Sequence, residues 1–181
     1  MKKVIIIITL VGLFKLNAQE KIKVENHLIK VNLLLPGVVY EHGLDAKNTI
    51  YSELSTGFGF SKNSSGSTWT FLPIINEQLR HYYNLEKRSL NGKKITGNSG
   101  NFLALNAIYN FKPFSTQNNS RYNDNASFVL APVWGIQRTY TRNFNLSLNA
   151  GLGYVFHSNQ TYNSNGIVPV FNFSIGWVIG K

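Results

Sequence analysis

Apolar and polar residues alternate with a period of two along most of the chain, which predicts β-strands with one apolar face. The clearest run is Asn143–His157, where Phe144, Leu146, Leu148, Ala150, Leu152, Tyr154 and Phe156 share one face. The other face carries Asn145, Ser147, Asn149, Gly151 and Gly153, followed by Val155 and His157. The same alternation recurs in Thr49–Phe60, Phe102–Lys112, Phe128–Tyr140 and Ile167–Ile179. Two further runs are less regular. Leu28–His42 reads as one strand if a bulge at Pro36-Gly37 flips its phase, turning Glu41 in and Tyr40 out. Trp69–Tyr83 puts Gln78, Arg80 and Tyr82 on one face and leaves Glu77 on the apolar one, which asks for a second bulge or an interfacial place.

Segments rich in Asn, Ser, Gly and Asp separate these runs, as turn chemistry requires. Seven strands are visible, with an eighth expected in Glu20–Asn26 or Glu86–Gly100. The polar faces are small and neutral, made of Asn, Ser and Gly, which suits a narrow crowded lumen. The reading is therefore all-β: an antiparallel up-and-down transmembrane β-barrel of eight strands, with lipid outside and a polar network inside. Glu53, Arg80, Gln78, Asn106, Gln137, Asn149 and Asn172 are the expected members of that network, joined by Lys30 and Glu41. Glu53 and Arg80 lie on strands adjacent in sequence and are expected to meet. Tyr40, Tyr83 and Tyr140 should mark one membrane interface, and Tyr154 and Phe156 the other.

Composition supports the same picture. Of 181 residues, 43% are hydrophobic and 13% aromatic, and only 14% are charged, against about 25% in a soluble domain. The absence of cysteine excludes a disulfide scaffold, a thiol nucleophile and a lipidated cysteine. The net charge is +10, but the basic residues are scattered through turns and no recognition helix accompanies them. Anionic lipid headgroups are the expected partners, not nucleic acid.

The first residues form a three-part leader. Lys2 and Lys3 precede the apolar run Val4–Phe14, and Ala18 closes a short polar stretch. This is the layout of a secretory signal peptide, and the run is shorter than the roughly 20 residues of a transmembrane helix. The expected division is a signal peptide over 1–18, cleaved after Ala18, and one outer-membrane β-barrel domain over 19–181.

Four features together carry a resemblance: Tyr40-Glu41 before Thr49-Ile50, Gln78–Arg80–Tyr82, Gly135-Ile136-Gln137, and Asn145–Tyr154 with Gly151 and Gly153. On these the chain resembles the small outer-membrane β-barrel proteins of double-membraned bacteria, the OmpA-transmembrane-domain and OmpX-like group. The resemblance implies a monomer in the cell outer membrane, inserted by the barrel-assembly machinery and surrounded by outer-membrane lipids. It implies a structural, adhesion or envelope-integrity role, a filled lumen, no cofactor and no enzymatic activity. The chain departs from the group at Trp177-Val178-Ile179-Gly180-Lys181, where a terminal aromatic is usual.

One cluster invites a catalytic reading. His157-Ser158-Asn159 resembles a stretch of the outer-membrane lipid A deacylases, also eight-stranded barrels. Yet adjacent residues of a strand point to opposite faces, and no Asp or Glu follows Asp124, so an orienting carboxylate is missing. His27, His42, His81 and His157 show no metal-ligand spacing. The alternatives to the structural reading are a lipid-modifying barrel enzyme and a secreted lipocalin-like binding protein.

Overall fold

A computed structural model describes residues 22–64, 66–116, 126–158 and 165–181. The leader, its expected cleavage point and Asn159 lie outside these residues. The strands are β1 (His27–Asn32), β2 (Gly37–Gly43), β3 (Asn48–Asn63), β4 (Gly66–Tyr82), β5 (Asn101–Asn110), β6 (Phe114–Ser115), β7 (Ser127–Thr139), β8 (Phe144–His157) and β9 (Gly166–Gly180). A six-residue helix, α1 (Leu85–Leu90), sits between β4 and β5. The order β1-β2-β3-β4-β5-β7-β8-β9 closes on itself, because β9 pairs with β1, and every pairing is antiparallel. The result is an all-β ring of eight strands. The short β6 pairs with β4 at Thr70 and Phe71, beyond the end of β5.

The eighth strand is not where the alternation suggested. Leu28–His42 is two strands, β1 and β2, and its centre is a hairpin turn, not a bulge. The turn spans residues 33–36. Pro36 has no N–H for a ladder, so the chain reverses there, and the reversal is what turns Glu41 inward and Tyr40 outward. The described parts of the two segments expected to hold the eighth strand, 22–26 and 86–100, contain α1, turns and irregular chain. Glu77 needs no bulge either: the β3–β4 and β4–β5 registers run unshifted through it. It points outward, and its carboxylate accepts a hydrogen bond from Ser52 Oγ at 2.7 Å.

The lower end of the ring carries Ile22 and Lys181, the first and last of the described residues, with the turns 44–47 and 140–143 and the segment 83–100. In the first of these turns Asp45 accepts hydrogen bonds from Asn48 Nδ2 and from the backbone N–H groups of Lys47 and Asn48. The Asn48 side chain, and then those two N–H groups, hold the Asp45 carboxyl below the usual carboxylate range.

The wall is uneven in height. β1 covers β9 only from Gly176 to Gly180, and β2 covers β3 only from Thr49 to Ser55. The hairpin ends at a sill where Leu33 N donates to Ile175 O and Thr56 N donates to Pro36 O. Above it, residues 57–63 of β3 and 166–174 of β9 have no strand beside them on that side among the described residues.

Candidate functional site

The interior of the lower half is ionic. The inward positions of β1 to β4 carry Lys30, Asn32, Glu41, Thr49, Tyr51, Glu53, Asn76, Gln78, Arg80 and Tyr82, all buried. An isolated buried charge is costly unless paired and hydrogen-bonded, and the arrangement meets that demand. Glu41 is the centre. Its Oε2 lies 3.3 Å from Lys30 Nζ and 3.8 Å from Arg80 Nη1, and accepts from Gln137 Nε2 at 3.2 Å. Its Oε1 accepts from Thr49 Oγ1 at 2.9 Å and Tyr82 OH at 2.8 Å. Gln137 Oε1 in turn accepts from Lys30 Nζ at 2.8 Å and Arg80 Nη1 at 3.0 Å.

Arg80 is held on all sides. Nε donates to Gln78 Oε1 and Nη1 donates to Tyr82 OH, while the guanidinium lies 3.6 Å from the centre of the Tyr51 ring and 4.4 Å from that of Phe102. Cation–π contact of this kind is worth most where water is excluded. Gly135 makes room for Phe102, since a Cβ there would run into its ring. Glu53 forms a second centre, accepting from Asn32 Nδ2, Tyr51 OH and Asn76 Nδ2. Gln78 Nε2 donates to Asn76 Oδ1, which links the two. The four buried charges sum to zero.

The expected contact of Glu53 with Arg80 is not made. The register sets Arg80 opposite Thr49 and Glu53 opposite Asn76, and the carboxylate that Arg80 meets is Glu41, two strands away. Of the seven residues expected in the network, Gln78, Arg80 and Gln137 share the Glu41 centre and Glu53 is one link removed. Asn106 and Asn149 are buried apart from it. Asn106 has no hydrogen-bond partner at either amide atom, nor has Asn149 at Oδ1. Asn172 is half-buried and faces Asn149 across the β8–β9 ladder.

A floor closes the lower end, and no periodic signal announces it. Glu25 N donates to Asn98 Oδ1, Gly97 N donates to Glu25 Oε1, and Lys181 Nζ lies 3.8 Å from the same oxygen. Gln137 Nε2 and Thr139 Oγ1 both donate to Gly97 O. Gln137 thus belongs to the floor and to the ionic centre at once.

Little here suits acyl chemistry. Glu41 and Glu53 are tied down by neighbours on several strands. His157 is half-buried and Ser158 exposed, and no hydrogen bond joins them among the described residues. No three His, Asp or Glu side chains among the described residues gather as metal ligands. No family model, curated protein or solved structure matches the chain.

Proposed function

We propose that the ring is a transmembrane β-barrel of the bacterial outer membrane, delivered by a signal peptide over residues 1–18 and serving a structural, adhesive or envelope-integrity role without enzymatic activity. The observation that carries this is the inverted distribution of polarity. Lys30, Arg80 and Glu41 are at most 1% exposed, while Leu54, Leu152 and Phe171 on the outer wall are 62%, 65% and 72% exposed. In water that arrangement wastes apolar surface; in hydrocarbon it is what a barrel needs. Aromatic residues border the outer band. Tyr40, Tyr83, Tyr140 and Trp177 lie toward the lower end, and Phe60, Trp69, Phe71, Tyr154 and Phe156 toward the upper. From Phe71 in β4 to Tyr83 just past its end the chain runs about 40 Å, or about 30 Å along the axis at a tilt of about 40°, close to a hydrocarbon core. An adhesive role gains support from the β3–β4 hairpin, which rises above the β1–β2 hairpin.

The test is fractionation with a high-salt wash, followed by electrophoresis before and after boiling. The protein should stay with the membrane and migrate differently once boiled. Recovery as a soluble protein with unchanged migration would overturn the reading in favour of a secreted binding module.

A further inference from the structure

We infer that the gap in the wall above the β1–β2 hairpin is a lateral entry for a single-chain amphiphile, whose hydrocarbon tail lodges in the upper interior. The inference rests on the outer-membrane reading and adds a ligand to it.

The interior changes character with height. Below, inward side chains are ionic and sealed. Above, an apolar belt of Leu72, Ile74, Ile108, Val129, Val168 and Val170 lies beneath a polar mouth that includes Thr70, Asn110, Ser127 and His157, and Asn172 and Ser174 face inward beside the gap. Four of the belt residues, Leu72, Ile74, Ile108 and Val168, are only half-buried, although they point into the ring. The upper interior is therefore a well with a polar mouth and an apolar belt, ending on the ionic layer and the floor beneath it.

The gap gives that well a side door. Its flanks are residues 57–63 of β3 and 166–174 of β9, neither with a neighbouring strand on that side among the described residues. Strand edges present backbone N–H and C=O groups in a row; the β9 edge below Ile167 lies within the proposed apolar band, where unmet backbone groups are costly, and the β3 edge rises through the border marked by Phe60 and Trp69. On the β3 flank the inward positions begin with Gly57 and Gly59. A Cβ at Gly59 would meet nothing within 4 Å, and one at Gly57 would touch only Leu72. The sill is the turn bearing Leu33, Leu34 and Leu35, all exposed. A polar rim that can donate and accept hydrogen bonds, an apolar back wall and an apolar sill together complement a fatty-acyl chain with a small polar head. A channel for polar solutes would need to continue past Glu41 and Gln137, which are buried and hydrogen-bonded to one another.

The full chain in lipid nanodiscs is irradiated with a diazirine-bearing palmitate, and the attachment sites are located by mass spectrometry. Attachment at Leu72, Ile108, Val168 or Val170, besides outward residues such as Leu105 and Leu148, is expected. Val170→Trp should lower the inward attachment at least ten-fold and leave the outward sites unchanged. Val168→Phe serves the same purpose if Val170→Trp fails to show the migration shift of a folded ring. Attachment confined to outward residues in incorporated protein would overturn the inference. So would slow amide exchange in lipid-free protein at Phe58, Phe60 and Lys62, whose N–H groups, in step with that of Thr56, point away from β4; it would show that another strand covers the edge. Failure to enter nanodiscs at all would instead overturn the outer-membrane reading.

Discussion

Glu41 gathers more polar partners than any other buried side chain, so its removal should be felt most. Glu41→Ala would leave Lys30 and Arg80 facing one another across Gln137 with their shared counter-charge gone. An uncompensated buried charge typically costs about 3–5 kcal/mol, and the urea midpoint of the refolded protein should fall accordingly. A double change with Lys30→Ala should cost less than the two losses added together; simple additivity would show that the pair is not coupled. Glu77 gives the opposite sign. It is six positions from Phe71 and six from Tyr83, midway down an apolar band, with Ser52 as its hydrogen-bond donor. In a bilayer Glu77→Leu should raise stability by about 1–2 kcal/mol, since a carboxylate on the lipid face is penalised, though less than a Lys or Arg. An unchanged or lower stability would place that face in water. The inward position of Arg80 was legible from alternation. Its partner was not, because Glu41 reaches it past Thr49 on the intervening strand, and adjacency in sequence says nothing of contacts that skip a strand.

Long strands announce themselves and short ones hide. β3, β4, β7, β8 and β9 have 13 or more residues, enough for alternation to stand clear of chance. β1 and β2 have 6 and 7, and the turn between them is Leu-Leu-Leu-Pro, with none of the Asn, Asp or Gly that marked the other turns. An apolar turn looks like more strand. The floor was hidden for a different reason: its contacts run between chain segments 40 or more positions apart and follow no period. Where β9 meets β1, the backbones approach so closely at Gly176 that a Cβ would collide with the carbonyl oxygen of Val31. Gly176→Val should therefore keep the ring from closing and abolish the migration shift on boiling. Gly59→Val, placed where space is open, should retain that shift. Equal behaviour of the two would mean that the β1–β9 pairing is not as described.

At the scale of the molecule the interior is divided: a floor and a charge-neutral ionic layer in the lower half, and an apolar belt under a polar mouth above. Rigidity and accessibility thus occupy different storeys, and ligand traffic through the upper one need not disturb the lower. The ladder between β1 and β9 sets the topology apart from an ordinary meander. Every other ring pairing joins strands that follow one another along the chain, leaving β6 aside, and the longest of their connections is 83–100. This one joins Asn32 to Gly176, and closing so long a loop costs about 4 kcal/mol in chain entropy. It also brings the two ends of the ring's sequence together, as Lys181 beside Glu25 shows. A ring has no intrinsic first strand. If Ile22 and Lys181 are tethered by a short Gly-Ser linker and the chain is instead opened between Ser158 and Asn165, the permuted protein should assemble the same eight-stranded circle. Its β1–β9 ladder would then form early, across a tether of a few residues, and the entropic penalty would move to the β8–β9 pair. Refolding into vesicles, followed by the boiling shift, reads the outcome; a permutant that never closes would show that the order in which strands are threaded, not their pairing alone, decides whether the circle is completed.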